Sequence, residues 1–306
     1  MNIGYTCINI SLREHGITTS RGLKKATLDR KGIGYVSELA LANVQDLLTT
    51  LKWNEANNVH FFRLGSDLIP WGNKLDISKF PNYKELLETF LECSKVIKRS
   101  NQRITAHPGQ FNLLASPNPV VVDNTVKDLI MHAEIFDYLE LSNTHFNKLN
   151  IHVGATYGDK HSAAETWCKN FERLSEGVKS RLTVENDDKA NMYSVVDLHE
   201  MIHSKVQIPI VFDYHHHTFN TGGLSAKDAL QLAMSTWGDI KPVVHYSESK
   251  SLHENNNTIN PRAHSDLINE RIDTFGFDID IMIEAKSKEQ ALLRYRSLHE
   301  KILQEI

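Results

Sequence analysis

Residues 182–213, LTVENDDKANMYSVVDLHEMIHSKVQIPIVFD, contain the unit from which the chain is built. A short apolar run, Leu182–Glu185, precedes an amphipathic segment at Ser194–His203, and a second apolar run follows at Pro209–Asp213. Short runs rich in β-branched and aromatic residues indicate buried strands, and a longer amphipathic segment between two of them indicates a crossover helix. The unit therefore predicts a strand, a helix and a second strand parallel to the first.

The same alternation covers the whole chain. Strand patterns occur at Ile3–Ile10, His60–Leu64, Ile104–His107, Leu149–Val153, Leu182–Glu185, Pro209–Asp213, Pro242–Tyr246 and Ile279–Glu284. Helical patterns occur at Val36–Glu55, Tyr83–Lys98, Asn124–Leu141, Ala163–Val178, Ser194–His203, Ala226–Ala233, His264–Phe275 and Lys288–Leu303.

Eight strand–helix units are the number in a (β/α)8 TIM barrel, an α/β fold. An open doubly wound sheet uses the same alternation, but the first strand is not followed by a glycine-rich phosphate loop, which favours the barrel. Because no linker or shift in composition divides the chain, residues 1–306 are predicted to form a single TIM-barrel domain.

The composition excludes several classes of protein. Hydrophobic residues make up 41% and charged residues 24%, which excludes a disordered or fibrous chain. The segment MNIGYTCINISLREHG contains neither the apolar core of a signal peptide nor a run long enough to span a membrane. We therefore expect a cytoplasmic protein without a membrane partner. The three separated cysteines, Cys7, Cys93 and Cys168, fit reduced thiols better than disulfides or a zinc ribbon.

Charge gives a mixed indication about nucleic acid. The net charge is −4, so the chain as a whole is not basic. Within Arg13–Lys31, however, six Lys and Arg residues accompany only two acidic ones. This segment is glycine-containing and lacks apolar periodicity, and it is predicted to be a basic surface loop, either inert or part of a patch that binds a polyanion.

Metal-ligand residue types stand at the carboxyl ends of six successive strands, where TIM barrels carry their active sites. They are His107, His152, Glu185, Asp213, His245 and Glu284. A single such residue is more often a hydrogen-bonded structural group, but six at corresponding positions are expected to converge on the barrel axis. Carboxylates buried together are unfavourable unless cations neutralise them. The set predicts a multinuclear centre for divalent ions, and its nitrogen and oxygen donors suit manganese, zinc or iron.

Further imidazoles lie close to these strand ends. His215, His216 and His217 follow Asp213 directly, and at least one of them is expected to coordinate a metal. His264, at the start of the predicted seventh helix, is a further candidate.

Seven motifs occur in order along the chain: HPGQF, IHVG, VENDDK, FDYHHH, VVHYSE, AHSDLI and IMIEAKSKE. With GYTCIN near the amino end, they resemble the UV damage endonuclease family over nearly the whole chain, and VENDDK followed by FDxHHH is a highly specific combination. The resemblance implies a (β/α)8 barrel related to abasic-site endonucleases. It also implies metal-dependent incision of double-stranded DNA immediately 5′ of UV photoproducts, without ATP or another nucleotide cofactor. The implied lesions are cyclobutane pyrimidine dimers, 6-4 photoproducts and abasic sites, and the implied products carry a 3′ hydroxyl and a 5′ phosphate.

The resemblance assigns the strand-end residues and two further histidines to two or three divalent ions, usually manganese, with zinc as the alternative. Ion by ion, the implied ligands are His107, His152 and Glu185 for the first; Glu185, Asp213, His245 and Glu284 for the second; and His216 with His264 for the third. Glu185 is thereby implied to be the bridging, catalytic carboxylate.

Other matched positions are implied to contact DNA. Gln110 and Phe111 match the family's probing pair, in which the aromatic fills the space left by a displaced dinucleotide. Tyr5 and Asn9 match positions that contact the lesion region. The alternative for Phe111 is a core aromatic of the third strand–helix unit, since most Phe side chains are buried.

The chain departs from the family pattern at two places. Many members carry a histidine where this chain has Lys74, whose ammonium is predicted to hold a phosphate at the catalytic site. Some members carry a chemically modified lysine where this chain has Val243, so the third ion is expected to bind weakly unless Lys241 substitutes. Neither change affects the ligands of the first two ions, and activity is expected to survive.

Two other functions stay open at the level of sequence. A metal-dependent sugar isomerase or epimerase collects the same residue types at strand ends, and a catalytically silent lesion-binding protein would keep only the DNA contacts. The basic segment Arg13–Lys31 and the Gln110–Phe111 pair favour DNA over a sugar, and the intact six-residue set argues against the silent protein. An open barrel mouth is compatible with a monomer.

Overall fold

The chain forms a closed barrel of eight parallel strands arranged in sequence order and surrounded by helices. The computed structural model describes residues 1–299. β8 pairs with β1 in parallel, with Ile3 opposite Ile281, and this pairing closes the barrel. The strands are β1 Ile3–Thr6, β2 Phe61–Leu64, β3 Arg103–Ala106, β4 Leu149–Ile151, β5 Leu182–Glu185, β6 Ile210–Asp213, β7 Val243–Tyr246 and β8 Asp280–Ile283. The predicted (β/α)8 fold is confirmed.

Helices of very different length connect the strands. The α-helices are Ile10–Arg13, Lys25–Ala56, Tyr83–Arg99, Pro119–Tyr138, Lys160–Phe171, Glu176–Lys179, Val195–Leu198, Ser204–Val206, Tyr214–His217, Ala226–Met234, Lys250–His253 and Lys288–His299. Single turns of other helix types are Ile77–Lys79, His145–Asn147, Ser235–Trp237 and the π-helical His199–His203. The last helix is predicted to reach Leu303, and residues 300–306 lie outside the described part. No helix within residues 1–299 is long and apolar enough to cross a bilayer.

A buried layer of side chains, apolar on one side of the barrel and polar on the other, lies directly beneath the mouth. Successive side chains of a strand point alternately to the barrel interior and to the helices. A residue two positions before an inward-facing strand end therefore also points to the interior. On β2, β6, β7 and β8 those residues form one buried apolar cluster, Phe61, Val211, Val243 and Met282, joined by Trp237. On β3, β4 and β5 they are the buried polar residues Thr105, Asn150 and Thr183. β1 contributes Gly4, where an added Cβ would lie 2.5 Å from the Phe61 carbonyl oxygen, so no larger side chain fits. The packed layer leaves the polar strand ends at the mouth as the place for a site.

The first long helix begins at Lys25, not at Val36 as predicted, and the chain kinks at Gly32, where φ is +73°. The last seven residues of the predicted basic loop, Lys25–Lys31, are therefore helical. This turn is stabilised by an ion pair of 2.9 Å between Lys25 and Asp29, and Leu28 packs on the core. One apolar contact produces no periodicity, which is why the sequence pattern missed the turn.

The helix predicted at His264–Phe275 is wrong, because this segment is a loop. His264 forms an isolated antiparallel bridge with Ser249. Ile268 and Ile272 are spaced like one face of a helix and both are buried, but they reach the core from an irregular backbone. The spacing of apolar residues imitated a helix.

Two other predicted boundaries also differ. The predicted strand Ile3–Ile10 ends at Thr6, since Cys7 takes a left-handed backbone conformation with φ of +62°. The helix predicted at Ala163–Val178 is interrupted after Phe171.

Candidate metal centre

The strand-end residues meet at the mouth of the barrel around Glu185. Glu185 closes β5 and its side chain is 1% exposed. Its Oε2 lies 3.0 Å from His245 Nδ1 and 3.2 Å from His107 Nε2, and its Oε1 lies 3.5 Å from His216 Nδ1. One carboxylate thus faces an imidazole in β7 and two more that follow β3 and β6.

Among residues 1–299, the donor atoms form three overlapping groups in which the ligand atoms lie within 4.8 Å of one another. The groups are His107, His152 and Glu185; Glu185, Asp213 and His216; and Asp213, His245 and Glu284. Successive groups share a carboxylate, first Glu185 and then Asp213, which is the arrangement that neighbouring cations require. The first group coincides with the set predicted for the first ion, and the third contains most of the set predicted for the second.

The two histidines predicted for a third ion are not brought together as a pair. The ring centroids of His216 and His264 are 6.4 Å apart, and the rings are nearly perpendicular. His264 lies at the rim, with Nδ1 4.0 Å from Glu284 Oε2, and it belongs to none of the three groups. Among the described residues, His216 is instead a member of the middle group.

The other histidines after β6 face elsewhere. Nε2 of His215 lies 3.2 Å from the Arg262 carbonyl oxygen, and the ring of His217 packs on Phe212. Of the three consecutive histidines, His216 is the one directed into the centre, and that at least one of them coordinates a metal stays a prediction.

The centre has the donor chemistry that fits divalent cations. Within the described residues, Asp213 Oδ2 is buried without a hydrogen-bond partner. Burial raises the pKa of Asp213 to about 7, and the neighbouring carboxylates of Glu185 and Glu284 add to the rise. A buried carboxylate surrounded by others is stabilised by a cation. The residues present therefore fit a cluster of ions held by nitrogen and oxygen.

Two other pKa shifts describe how protons and cations compete here. Burial alone would raise the pKa of Glu185, but the imidazoles of His245 and His152 hold it well below its usual range. Burial likewise disfavours the charged form of His152, yet Glu185 and Asp187 raise its pKa to about 10. A cation that uses His152 as a ligand must replace this proton.

Several residues that support the ligands were missed at the sequence level. Arg63 at the end of β2 pairs with Glu284, and Asn150 in β4 donates a hydrogen bond to Glu185. Asp187 Oδ1 lies 3.0 Å from His152 Nδ1, which leaves Nε2 to face Glu185. Partners of this kind fix the orientation of metal-binding imidazoles.

Lys148 is the other buried residue that the sequence analysis overlooked. Its Nζ lies 3.2 Å from His245 Nε2, and burial lowers its pKa to about 7. The expectation that Lys241 might substitute for the family's modified lysine is wrong. Lys241 pairs with Asp278 at 2.7 Å, at the opposite end of the barrel. A signal was available: Lys148 precedes His152 by four residues and therefore lies on the same face of the strand.

The groups predicted to touch DNA divide into two sets. Gln110 and Phe111 are exposed in the loop after β3, and Phe111 is 80% exposed, so the core alternative for Phe111 is wrong. Lys74 is exposed in the loop after β2, with Nζ 5.2 Å from the Trp71 ring centroid. Loops after neighbouring strands carry these residues at the same rim.

Tyr5 and Asn9 are placed differently. Tyr5 is fully buried and points towards the first long helix, where its hydroxyl donates to Asn54 Oδ1 at 2.7 Å and accepts from Asn9 Nδ2 at 3.1 Å. Asn9 also caps the next helical turn by accepting the Leu12 amide. Contact between either side chain and a lesion would require this buried network to open.

Residues 1–305 match the family model described as UV-endonuclease UvdE. The chain belongs to this family. The UV-damage endonuclease of Schizosaccharomyces pombe is 36% identical over 308 residues, which cover 95% of this chain and 49% of that protein. The UV DNA damage endonuclease of Clostridium perfringens is 33% identical, with 96% of this chain and 69% of the relative covered. The chain thus spans about half the length of the S. pombe relative.

Solved structures agree with this membership. The crystal structure of SacUVDE superposes with a TM-score of 0.84 at 29% identity, covering 99% of both chains. An L-ribulose 3-epimerase superposes with a TM-score of 0.51 at 14% identity, covering 78% of this chain and 75% of the other. An identity this low shows the shared barrel fold alone. The family resemblance drawn from the motifs is confirmed.

Proposed function

We propose that this protein is a metal-dependent endonuclease that cuts double-stranded DNA immediately 5′ of UV photoproducts. The observation that carries the proposal is the set of linked donor groups, sharing Glu185 and Asp213, at a rim that also displays the exposed Phe111. Membership of the UvdE family supports the class of substrate. We propose cyclobutane pyrimidine dimers, 6-4 photoproducts and abasic sites as the lesions.

The ligand groups would hold two or three divalent ions, manganese or alternatively zinc. When bound, such ions supply the positive charge that stabilises the attacking and departing oxygens of phosphodiester hydrolysis. Glu185 fixes the spacing between the ligand groups, because it belongs to two of them. Arg63 neutralises Glu284 and holds it towards His245. The products of the proposed cut are a 3′ hydroxyl and a 5′ phosphate.

Lesion recognition is assigned to the loops after β2 and β3. A photodimer is weakly stacked and costs less to displace than normal bases. Phe111 would occupy the space it leaves, and an aromatic–base stack contributes about 1–3 kcal/mol. Gln110 lies beside Phe111, and the Lys74 ammonium would hold a phosphate of the backbone.

The basic segment near the amino end adds to this face. The Trp71 indole N–H donates to the Leu23 carbonyl at 3.0 Å, so the segment packs on the loop that carries Lys74. Within it Arg21 is already paired with Asp46 at 2.7 Å, which leaves Lys24 among the exposed cations available to a duplex. The monomeric state and the cytoplasmic location remain predictions from sequence.

A defined thymine-dimer duplex with manganese tests the proposal. A nick immediately 5′ of the dimer, absent from the undamaged duplex and from a chelator-treated sample, is the expected result. Retention of the duplex without a nick would instead support a silent lesion-binding protein. Neither binding nor cutting, together with turnover of a ketose, would support the sugar epimerase.

A further inference from the structure

Phe111 is exposed on a turn that hydrogen bonds close, and the residue after it, Asn112, faces inward. The Asn112 amide donates to the Gly109 carbonyl at 3.1 Å, and the Asn112 side chain donates to the same oxygen at 3.0 Å. Asn112 is 7% exposed, whereas Phe111 is 80% exposed. The orientation of the aromatic therefore depends on what holds Asn112.

Asn112 is held by a carboxylate that also holds the neighbouring loop. Asp128, on the helix Pro119–Tyr138, accepts from Asn112 Nδ2 at 2.9 Å through Oδ2. Its Oδ1 accepts from Asn73 Nδ2, also at 2.9 Å. Asn73 directly precedes Lys74, so one side chain joins the loop of the aromatic to the loop of the cation.

Asp128 joins two loops that are otherwise separated by a cavity. A cavity of about 220 Å³ lies between the two loops and is lined by residues of both, including Asn73, Phe111 and Asp128. The helix side is firmly tied, since the Leu113 amide donates to Thr125 Oγ1 at 2.9 Å. Without the carboxylate, the turn would keep its tie to the helix but lose its tie to the Lys74 loop, and the cavity gives the loops space to shift relative to each other.

The charge of Asp128 indicates that this residue positions the two loops and does not itself bind DNA. Asp128 is 20% exposed and lies near a face proposed to bind phosphates, where a negative charge opposes binding. Each of its oxygens nevertheless receives an amide from a different loop, and hydrogen bonds to a charged acceptor are stronger than neutral ones.

We propose that Asp128 is a positioning residue that fixes Phe111 relative to Lys74 and thereby sets the discrimination between damaged and undamaged DNA. This inference rests on the proposed endonuclease function. Asp128 acts through Phe111 and touches neither the metal ligands nor the reacting phosphate.

The experiment compares Asp128→Ala with Asp128→Asn, Phe111→Ala and the double variant Asp128→Ala/Phe111→Ala. Asp123→Ala is the matched control, because Asp123 lies on the same helix with its exposed carboxylate paired to Arg173. The measurements are the affinity ratio of dimer-containing to undamaged duplex, KM and kcat for nicking, bound manganese, and the melting temperature. Asp128→Ala should lower the affinity ratio by about tenfold, a change within the range that the loss of one aromatic–base stack produces. In nicking, the effect should appear mainly as a higher KM. Asp128→Asn should recover most of the ratio, since its amide can exchange hydrogen bonds with Asn73 and Asn112.

The double variant decides whether Asp128 works through the aromatic. If it does, Asp128→Ala should have little further effect once Phe111 is absent. Additive effects, or a loss carried by kcat or by bound manganese, would overturn the inference. Should Asp128→Ala fail to fold, Asn73→Ala, which breaks only the arm to the Lys74 loop, must lower the ratio in the same direction. A wild-type protein that does not distinguish damaged DNA would overturn the proposed function itself, whereas normal discrimination in wild type and Asp128→Ala alike would overturn only this inference.

Discussion

Replacing Asp213 by Asn should stabilise the metal-free protein at alkaline pH while weakening its response to metal. Asp213 is completely buried, and burial raises the pKa of its carboxyl from 3.8 to about 7. Each pKa unit corresponds to about 1.4 kcal/mol, so the ionised carboxylate costs the fold about 4 kcal/mol above pH 7. Asn keeps the oxygen that accepts the His216 amide at 2.7 Å and never ionises.

The sign of the pH dependence follows from linkage. The pKa of Asp213 is higher in the folded than in the unfolded chain, so its contribution to stability is complete below about pH 4 and is lost as pH rises to about 7. Over a third of that loss is already present at pH 5. The stability of Asp213→Asn relative to wild type should therefore increase by about 3 kcal/mol between pH 5 and pH 8.

Guanidinium unfolding of chelator-treated samples at both pH values measures this difference. Adding manganese at pH 8 should reverse the order, because a bound ion stabilises the chain that binds it more tightly. Asp123→Asn, which removes an exposed carboxylate, is the control and should show no such growth with pH. If the difference in unfolding free energy between Asp213→Asn and wild type were the same at pH 5 and pH 8, the pKa of Asp213 would not be raised in the folded chain.

Three further predictions concern the centre and the DNA face. Glu185→Gln should reduce bound metal from about two or more ions per chain to about one or fewer, because two donor groups share this carboxylate; elemental analysis after gel filtration checks this, and unchanged stoichiometry would contradict it. Manganese binding at pH 7 should release about one proton from His152, whose pKa is raised to about 10, and the affinity should fall about tenfold per unit of decreasing pH; calorimetry in buffers of different ionisation enthalpy measures the release, and its absence would remove His152 from the ligands. Lys74→Ala should weaken binding of damaged and undamaged duplexes alike and lower the salt slope by about 1, whereas an unchanged slope would show that Lys74 holds no phosphate.

The parts of the fold that could be predicted from sequence are the strands, because closure of the barrel buries their side chains at a regular spacing. Strand ends such as Glu185 and Asp213 were predictable, since a continuous apolar run ends in a polar residue at the same register in each unit. The helix predicted at His264–Phe275 failed because periodicity reports which side chains are buried, and a loop can bury Ile268 and Ile272 at helical spacing. The start of the first long helix failed for the opposite reason, since its basic turn buries too little to produce a pattern.

Supporting residues of the site were harder to predict than its ligands. Asp187 and Lys148 act through contacts with His152 and His245, and those contacts depend on side-chain directions that no short motif encodes. The link from Asp128 to Asn73 spans 55 residues and two loops, so it appears only once the barrel is closed. Tyr5 shows the converse, because a matched motif position was assigned to the mouth although the alternation of β1 directs its side chain to the helix layer.

The metal ligands alone do not decide between phosphodiester hydrolysis and sugar isomerisation, since both chemistries use carboxylates and imidazoles at a barrel mouth. The decision depends on the rim. A sugar enzyme gains by enclosing a small substrate away from water, and its aromatic side chains line that enclosure. Phe111 is instead 80% exposed on a turn held by Asn112, where its ring is accessible for stacking on a large planar partner. If Phe111→Ala left the affinity for a thymine-dimer duplex unchanged, the exposed ring would not stack on DNA, and the rim would no longer favour DNA over a sugar even with every metal ligand in place.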